Sequence, residues 1–381
     1  MADPTHKGAM RAAEEVFLVA FFLAVIALPL GLLILRGGGE AAWENRRLAE
    51  MPRLPESGGE AFHLPRMLTE YFKDHFAMRA ELIRWQAVAK VRALRSSSSP
   101  EVILGKEGWL FHSGEGEVEM FTGSAPFKGE ELERWRLLLE SLRDWAGRRG
   151  ARFVVTFVPE KQTVYPELLP DSLKRSRGPS RLDQLVGHMN ARSDVRVVDL
   201  RPALAEAKAA NQVYLRTDTH WNEFGSFAAY GVLARETLKD PADSRPADAS
   251  EFDVRRVQYS GDLAGLLGLH NVEAESAPRL VPRRPAGARF EGECGDVGQC
   301  ASASDGGARP RVLMYRDSAA SSLIPFLAGH FGRGVYVWDR QWKFSTELLE
   351  GERPDVVVLE MVERRLMNPP PAPPAGASAA P

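Results

Sequence analysis

The sequence lacks a strong charge of either sign and contains few cysteines. Its 381 residues carry 49 lysines and arginines against 51 aspartates and glutamates, a formal net charge of -2. Nucleic-acid binding needs a basic face that neutralises phosphates, so this balance argues against a nucleic-acid partner. Two cysteines are too few for a disulfide-framed miniprotein. With 44% hydrophobic residues, the composition is that of an ordinary folded protein with room for two or three domains.

The two cysteines, Cys294 and Cys300, lie six residues apart in a glycine-rich stretch. In an oxidising compartment they could close a small loop, which stabilises a fold by roughly 2 kcal/mol. Two unpaired surface thiols fit the spacing equally well. A metal site is not expected, because no nearby histidine or further cysteine completes a set of four ligands.

One long run, residues 16–35, is apolar throughout. About 20 such residues span the roughly 30 Å hydrocarbon core of a bilayer. A secretory signal has a shorter apolar region and a small-residue cleavage site, which is not evident here, and few buried soluble helices are apolar on every face. We therefore expect a transmembrane signal anchor over residues 16–36, after a short N-terminal segment, residues 1–15. The flanking positive charges leave its orientation undecided.

The segment after the anchor, residues 37–100, is predicted to be a helical neck. Apolar residues such as Leu64, Leu68 and Phe72 recur at helical spacing, and a serine run followed by Pro100 ends the pattern. The last residues, 367–381, are rich in proline and alanine. They cannot build a core and are predicted to be a disordered tail.

Residues 101–366 are predicted to form one α/β domain. Five short runs are rich in β-branched or aromatic residues without strict alternation, which is typical of strands buried on both faces of a parallel sheet. The runs are Phe153–Val158, Val195–Leu200, Val312–Tyr315, Val335–Trp338 and Val356–Glu360. Most stretches between them are long enough for crossover helices, so we expect a three-layer parallel-sheet fold. The Pro-, Gly-, Asp- and Arg-rich residues 240–310 are predicted to be an insertion of loops and short strands.

A serine follows one of the predicted strands, at the edge of the sheet where ligands usually bind. Ligands bind outside the carboxyl ends of the strands, and Asp317 and Ser318 come just after the run that ends at Tyr315. At a strand-to-helix corner, the Ser318 N–H and the helix dipole would face negative charge that develops nearby. The alternative is that Asp317 or Ser318 only caps the helix.

A candidate base lies within residues 214–222. Asp218 and His220 are two residues apart, and in extended backbone such residues lie on the same side, so the carboxylate can reach one imidazole nitrogen and fix the tautomer. The other nitrogen can then take a proton from a serine hydroxyl. Of the 8 histidines, only His220 has a carboxylate at an orienting spacing, and His270 is its rival.

Several further motifs occur in a recognisable order between residues 40 and 366. They are Glu44–Arg47, Tyr71–Phe76 with Arg79, Gly105–Phe111, Val158–Lys161, Tyr165–Pro166, Leu169–Pro170, Asp218–Asn222, Gly261–Leu263, Asp317–Ser318, Pro354–Val357 and Glu363–Arg364. With these motifs the chain resembles the AlgX/AlgJ-like family of polysaccharide O-acetyltransferases, whose domain is related to the SGNH hydrolases.

The resemblance implies a catalytic triad in which Ser318 is the nucleophile, His220 the base and Asp218 the residue that orients the base. The order is permuted, because the serine follows the other two residues, but geometry rather than order defines a triad. The acyl group would rest on Ser318 as an ester and then pass to a sugar hydroxyl, and no cofactor is implied.

Five more residues are candidates for substrate contact. Four of them match family positions, and for those four a structural role is an equally good interpretation. The five are Lys161, Trp221, Asn222, Arg316 and Arg364. All except Arg316 match family positions near the expected cleft. Arg316 departs from the family, which usually has glycine before the Asp-Ser pair. Its side chain could crowd the nucleophile turn or point away from it.

The resemblance also implies a location and partners. Family members place this domain in the periplasm, anchored in the inner membrane by a single pass. A separate multi-pass membrane acyltransferase supplies the acetyl groups, and an exported polysaccharide accepts them. The leading hypothesis is therefore a membrane-anchored O-acetyltransferase. The alternatives are an acetyl esterase with the same triad, and a catalytically silent scaffold or glycan-binding subunit of a polysaccharide export complex, which Arg316 favours.

Overall fold

The computed structural model describes residues 15–28, 31, 48–55, 58–75, 79–238, 245–270, 272–284, 287–292, 294–295, 298–304, 309–338, 343–371 and 373. The chain divides into two compact units between Ser98 and Ser99. Most of the predicted N-terminal segment, residues 29, 30 and 32–36 of the predicted anchor, residues 37–47 of the predicted neck and most of the predicted tail lie outside the described residues.

The first unit contains helices and no strand among its described residues. Helix α1 covers residues 15–28, and its large apolar side chains are between 51% and 69% exposed. Within the described part of the chain, no helix is long and apolar enough to cross a membrane. Further along are α2 (Gly58–His75), α3 (Arg79–Val88) and one π-helical turn (Ala89–Ala93).

The second unit is built around a seven-stranded sheet with the order β4-β3-β11-β9-β10-β8-β7. The strands of this unit are β1 (Val102–Leu104), β2 (Leu110–His112), β3 (Arg152–Val158), β4 (Val197–Asp199), β5 (Phe252–Ser260), β6 (Ala274–Pro282), β7 (Ala288–Glu291), β8 (Gln299–Ser304), β9 (Arg311–Arg316), β10 (Arg333–Trp338) and β11 (Val356–Val362). The five predicted runs are all present as the mutually parallel strands β3, β4, β9, β10 and β11. Every residue of the central strand β11 is buried, as expected for a strand covered on both faces.

The sheet is mixed rather than wholly parallel, which differs from the predicted parallel sheet. Strand β8 runs antiparallel to β10, and β7 runs antiparallel to β8. Both come from residues 240–310, which therefore extend the main sheet at one edge. The sequence of β8, Gln-Cys-Ala-Ser-Ala-Ser, has no β-branched or aromatic residue, so it does not carry the usual signal of a strand.

Helices cover both faces of the sheet and make two hydrophobic cores. The helices of the second unit are α4 (Glu117–Thr122), α5 (Gly129–Gly147), α6 (Lys161–Val164), α7 (Asp171–Arg175), α8 (Arg181–Arg192), α9 (Arg201–Ala210), α10 (Glu223–Thr237), α11 (Asp262–Leu266), α12 (Ile324–Leu327) and α13 (Thr346–Glu352). Helices α5, α8 and α13 pack on one face, and α9, α10 and α12 pack on the other. On α5, Trp135, Leu138 and Leu142 recur at helical spacing and are buried, because this spacing directs them all to the sheet.

Strands β5 and β6 form a separate antiparallel ribbon. Nine residue pairs join them, from Phe252 opposite Pro282 to Ser260 opposite Ala274. Helix α11 lies in the connection between the two strands. The ribbon matters for function, because the end of β5 reaches the loop that carries His220.

Candidate active site

Ser318 lies at the carboxyl end of β9, at the start of a short 3₁₀ helix (Ser318–Ser322). Asp317 fixes this turn. Its carboxylate accepts hydrogen bonds from the N–H of Ala319 at 2.9 Å and from the N–H of Val362, at the end of β11, at 2.8 Å. The capping alternative therefore holds for Asp317, and the Ser318 hydroxyl is left for another partner.

His220 lies in a tight loop between α9 and α10. Tyr214 and Trp221 form an isolated antiparallel bridge, and the N–H of Leu215 donates to the carbonyl oxygen of His220 at 3.1 Å. These bonds close the loop at its base. The loop therefore presents His220 at the carboxyl edge of the sheet, where the β9 strand ends.

The three side chains predicted to form a triad are brought together. One oxygen of Asp218 lies 2.6 Å from Nδ1 of His220, and Nε2 of His220 lies 2.9 Å from Oγ of Ser318. The Asp218 side chain is 2% exposed and the His220 side chain 27% exposed. We assign the proton to Nδ1, since the carboxylate only accepts, so Nε2 is the nitrogen that can accept the serine proton.

The second oxygen of Asp218 is also fully used. It accepts hydrogen bonds from the hydroxyl of Tyr259 and from the N–H of Asp262, both at 2.9 Å. Burial alone would raise the pKa of Asp218. The hydrogen bond and positive charge of His220, together with the two backbone N–H groups, outweigh burial and hold that pKa well below its ordinary value. Asp218 is therefore negatively charged at neutral pH.

Asp262 orders the loop from the other side. Its carboxylate accepts hydrogen bonds from the N–H of Thr219 at 2.8 Å and from the Thr219 hydroxyl at 2.6 Å. Burial and the nearby charge of Asp218 raise the pKa of Asp262. The preceding residue, Gly261, approaches so closely that a Cβ there would clash with the carbonyl group of Thr217. Only glycine permits this contact between the ribbon and the loop.

Asp218, His220 and Asp262 also resemble a set of metal ligands, since one atom of each lies within 4.8 Å of the others. Each carboxylate oxygen of Asp218 already accepts two hydrogen bonds. Nδ1 of His220 donates one of these four bonds. Both oxygens of Asp262 accept bonds from Thr219. The donor groups around these atoms favour a hydrogen-bonded triad over a metal centre.

Trp221 connects the loop to the nucleophile turn. Its indole N–H lies 2.9 Å from the carbonyl oxygen of Ala319 and 3.0 Å from Oγ of Ser322. The neighbouring Asn222 caps α10, because its side-chain oxygen accepts the N–H groups of Phe224 and Gly225. Both side chains are buried, so the structure gives them supporting roles, and their predicted substrate contact stays a prediction.

Lys161 and Arg364 are likewise held inside the protein. The Lys161 ammonium group is buried and donates to the carbonyl oxygens of Leu215, Arg216 and Asp218, which ties down the His220 loop. Burial lowers the pKa of Lys161 to about 8. Arg364 forms a two-oxygen ion pair with the carboxylate of Glu160, at 2.8 and 3.0 Å. These contacts give Lys161 and Arg364 a structural role, and the predicted substrate contact stays a prediction.

Arg316 points away from the triad. It is fully buried, and its guanidinium group donates to Oγ of Ser321 at 3.2 Å and to the carbonyl oxygen of Gly295 at 2.7 Å. Gly295 adjoins a disulfide between Cys294 and Cys300, whose Cα atoms are 5.2 Å apart. The side chain therefore binds a disulfide-closed loop, neither a substrate nor Ser318. The crowding of the nucleophile turn is not seen, because the bond between His220 and Ser318 is intact.

Two contributors to the site were not assigned a role from the sequence. Tyr259 lies within residues 240–310 and reaches Asp218 only because the ribbon folds back, a contact that no local pattern predicts. Glu360 is fully buried in β11 and accepts the N–H of Asp317 at 3.2 Å. The rival histidine, His270, is exposed and its ring lies 3.5 Å from the hydroxyl of Ser260, so it does not contact Ser318.

The backbone N–H of Ser318 can serve developing negative charge. Among the described residues it donates to no acceptor, while the next N–H, that of Ala319, is bonded to Asp317. An unused N–H beside a nucleophile is what an oxyanion needs. The geometry therefore brings together a hydroxyl, an imidazole, a buried carboxylate and a backbone N–H, which is the arrangement that a serine triad needs.

Comparison with known proteins agrees with this geometry. The family described as "SGNH hydrolase-like domain, acetyltransferase AlgX" matches residues 102–292, a range that includes Asp218 and His220 and ends before Ser318.

Two curated relatives named "Probable alginate O-acetylase AlgJ" are similar to the chain. The protein from Pseudomonas syringae pv. tomato is 27% identical over 256 residues, and the one from Pseudomonas aeruginosa is 31% identical over 270 residues. Each match covers 67% of this chain and 62% of the relative, so the chain spans about three-fifths of their length. A solved DHHW family protein from Eubacterium siraeum has a TM-score of 0.51 at 13% identity, covering 71% of this chain and 96% of that one, and it shows the same fold.

Proposed function

The chain belongs to the family of SGNH hydrolase-like acetyltransferase domains of the AlgX type, and from this premise we propose that it is a polysaccharide O-acetyltransferase. The observation that carries the proposal is the continuous line of hydrogen bonds from Asp218 through His220 to Ser318. An acetyl group would pass from a donor to Ser318 and from Ser318 to a sugar hydroxyl. Because the relatives named above are alginate O-acetylases, an alginate-like acidic polysaccharide is the acceptor we propose.

In the first half-reaction, Oγ of Ser318 attacks the acetyl carbonyl carbon of the donor ester. Nε2 of His220 takes the hydroxyl proton as the new C–O bond forms. The Ser318 N–H donates to the oxyanion of the tetrahedral intermediate, and Asp218 stabilises the imidazolium. When the intermediate collapses, the bond to the donor oxygen breaks, and that oxygen leaves with the proton from His220.

The second half-reaction reverses these roles with a new alcohol. His220 takes the proton of a sugar hydroxyl as its oxygen attacks the acetyl carbon on Ser318. The bond to Oγ then breaks, the acetyl ester remains on the sugar, and Ser318 recovers its proton from His220. Water in place of the sugar would give hydrolysis, so the acceptor decides between transferase and esterase activity.

We extend the proposal to the location. Residues 16–36 would anchor the chain in the inner membrane by a single pass with the catalytic domain in the periplasm, where a multi-pass membrane acyltransferase would supply acetyl groups. The exposed apolar side chains of α1 support an apolar partner for this segment. The disulfide between Cys294 and Cys300 supports an oxidising compartment.

The test uses the full chain purified in detergent, an activated acetyl ester as donor, and an acidic polysaccharide as acceptor. We expect acetyl transfer that depends on the acceptor, and a Ser318-containing peptide heavier by one acetyl group. Ser318→Ala should lose both while its thermal unfolding temperature stays unchanged. Release of acetate that the acceptor does not affect would favour an esterase, and wild-type turnover without Ser318 would refute the nucleophile.

A further inference from the structure

A second concave site lies in the same domain, away from Ser318. It is a cavity of about 630 Å³ between α10, the outer end of the β5–β6 ribbon and the turn that follows α12. Two kinds of side chain line it, aromatic rings and arginines. None of the triad residues contributes to its wall.

The aromatic wall consists of Tyr230, Phe252 and Phe326. The ring centres of Phe326 and Tyr230 are 5.8 Å apart, and those of Phe326 and Phe252 are 5.6 Å apart. His330 continues the wall, with Nε2 2.7 Å from the Tyr230 hydroxyl. Packed rings hold one another in place. Tyr230 is buried behind the wall, whereas Phe252 and Phe326 are partly exposed and offer their faces to the C–H face of a sugar ring.

Three arginines also line the cavity, Arg283, Arg284 and Arg309, against one acid, Glu251. Arg309 uses one nitrogen to bind the carbonyl oxygen of Gly329 at 2.8 Å. Arg283 makes an ion pair with Asp253, and because both side chains are exposed, this pair contributes little to the stability of the fold. Arg284 has no hydrogen bond or ion pair with any residue that the structure describes. Most guanidinium N–H groups are thus available, and their fork geometry matches a carboxylate.

Two elements connect this cavity to the triad. Strand β5 has Phe252 at the cavity and Tyr259 at Asp218, seven residues apart, which is roughly 23 Å of strand. Helix α10 begins after Asn222, two residues from His220, and reaches Tyr230 after about 12 Å. The cavity is therefore too far from Ser318 to hold the acetylated sugar, but a polysaccharide chain a few sugars long spans the separation.

We propose that this cavity is an accessory binding site for a carboxylate-bearing polysaccharide, which holds the acceptor chain a few sugars away from the hydroxyl presented to Ser318. The arginines bind sugar carboxylates and the aromatic wall receives the ring faces. The proposal rests on the proposed function for the identity of the acceptor, but binding at the cavity requires no chemistry at Ser318.

Binding is measured with the full chain carrying Ser318→Ala, so that no turnover interferes. The probe is a fluorescently labelled hexamer of mannuronic acid, with maltohexaose as the neutral control. We expect the double variant Arg283→Gln/Arg284→Gln to weaken hexamer binding about tenfold or more, since each lost charged hydrogen bond is worth about that factor. Arg134→Gln, an exposed arginine on α5 across the sheet, is the matched control and should bind normally.

A second variant, Arg309→Gln, guards against misfolding of the double variant and should also weaken binding. Unchanged affinity in both variants, or equal affinity for maltohexaose, would overturn the accessory site. In chains that retain Ser318, the double variant should raise KM for the long acidic acceptor and leave hydrolysis of a small acetyl ester unchanged. If transfer fails in every chain, the proposed function fails, while the binding experiment still decides on the cavity.

Discussion

The sharpest prediction concerns Asp218→Asn, because the structure fixes what every atom of that side chain meets. One carboxylate oxygen faces two N–H donors of His220, at the ring and the backbone. The other faces the hydroxyl of Tyr259 and the N–H of Asp262. An asparagine has one oxygen and one NH₂ group, so either orientation places the NH₂ against a backbone N–H that can only donate.

Both orientations also damage catalysis. If the NH₂ faces the ring, Nδ1 must lose its proton, and Nε2 then carries the proton and cannot accept one from Ser318. If the oxygen faces the ring, the tautomer is correct but the negative charge that stabilises the imidazolium is gone. By analogy with other serine triads, we expect kcat to fall by about 10⁴, which corresponds to about 5.4 kcal/mol of lost transition-state stabilisation.

The assay is the steady-state release of the leaving group from an activated acetyl ester, with circular dichroism as the check on folding. Asp171→Asn is the matched control, because Asp171 is exposed and pairs with Lys106, which is not a triad residue, and it should retain full activity. A loss smaller than tenfold in a folded Asp218→Asn protein would refute the reasoning, since another group would then orient His220.

Three further predictions follow from contacts described above. Trp221→Phe removes the indole N–H bonds to the nucleophile turn, so kcat should fall about tenfold in the same ester assay. The unfolding temperature should also fall, because Trp221 is buried and the smaller ring leaves a cavity. Burial, reinforced by the charge of Glu160, raises the pKa of Glu363 to about 8, so the free energy of unfolding should decrease as pH rises from about 4.5 to 8. In urea unfolding of Glu363→Gln, the free energy of unfolding should decrease less with pH than in the wild-type protein. An identical pH dependence in the two proteins would contradict the raised pKa of Glu363. Replacing Cys294 and Cys300 together by serine should cost about 2 kcal/mol in urea unfolding, and an unchanged midpoint would show that the bond does not form.

The central strands of the fold could be predicted because burial on both faces leaves a direct trace in the sequence. Runs such as Val356–Leu359 are apolar at successive positions, which is typical of a strand between two helical layers. Strands β7 and β8 left no such trace. They lie at the edge of the sheet, where small and polar residues are tolerated. The backbone pairing of β8 with β10, and of β7 with β8, holds them in place.

In the site, too, contacts between neighbouring residues could be predicted from the sequence, whereas contacts between distant segments could not. The pair Asp218 and His220 could be recognised because two residues in one loop share a side of the backbone. The contact of Tyr259 with Asp218 depends on the folding of a ribbon 41 residues away, which no spacing rule encodes. Lys161 and Arg364 were predicted to contact substrate because they match family positions near the cleft. A motif match does not distinguish a side chain that binds a ligand from one that holds the surrounding loops.

The link through Trp221 has a consequence for motion. His220 and Trp221 are adjacent in the chain, as are Ser318 and Ala319, and the two pairs are joined by the bond from Nε2 to Oγ and by the bond from the indole to the Ala319 carbonyl. These four residues therefore form a closed ring across 98 positions of sequence. We expect the two bonds to limit independent movement of the His220 loop and the turn after β9, because each adjacent pair is tied to the other at two points.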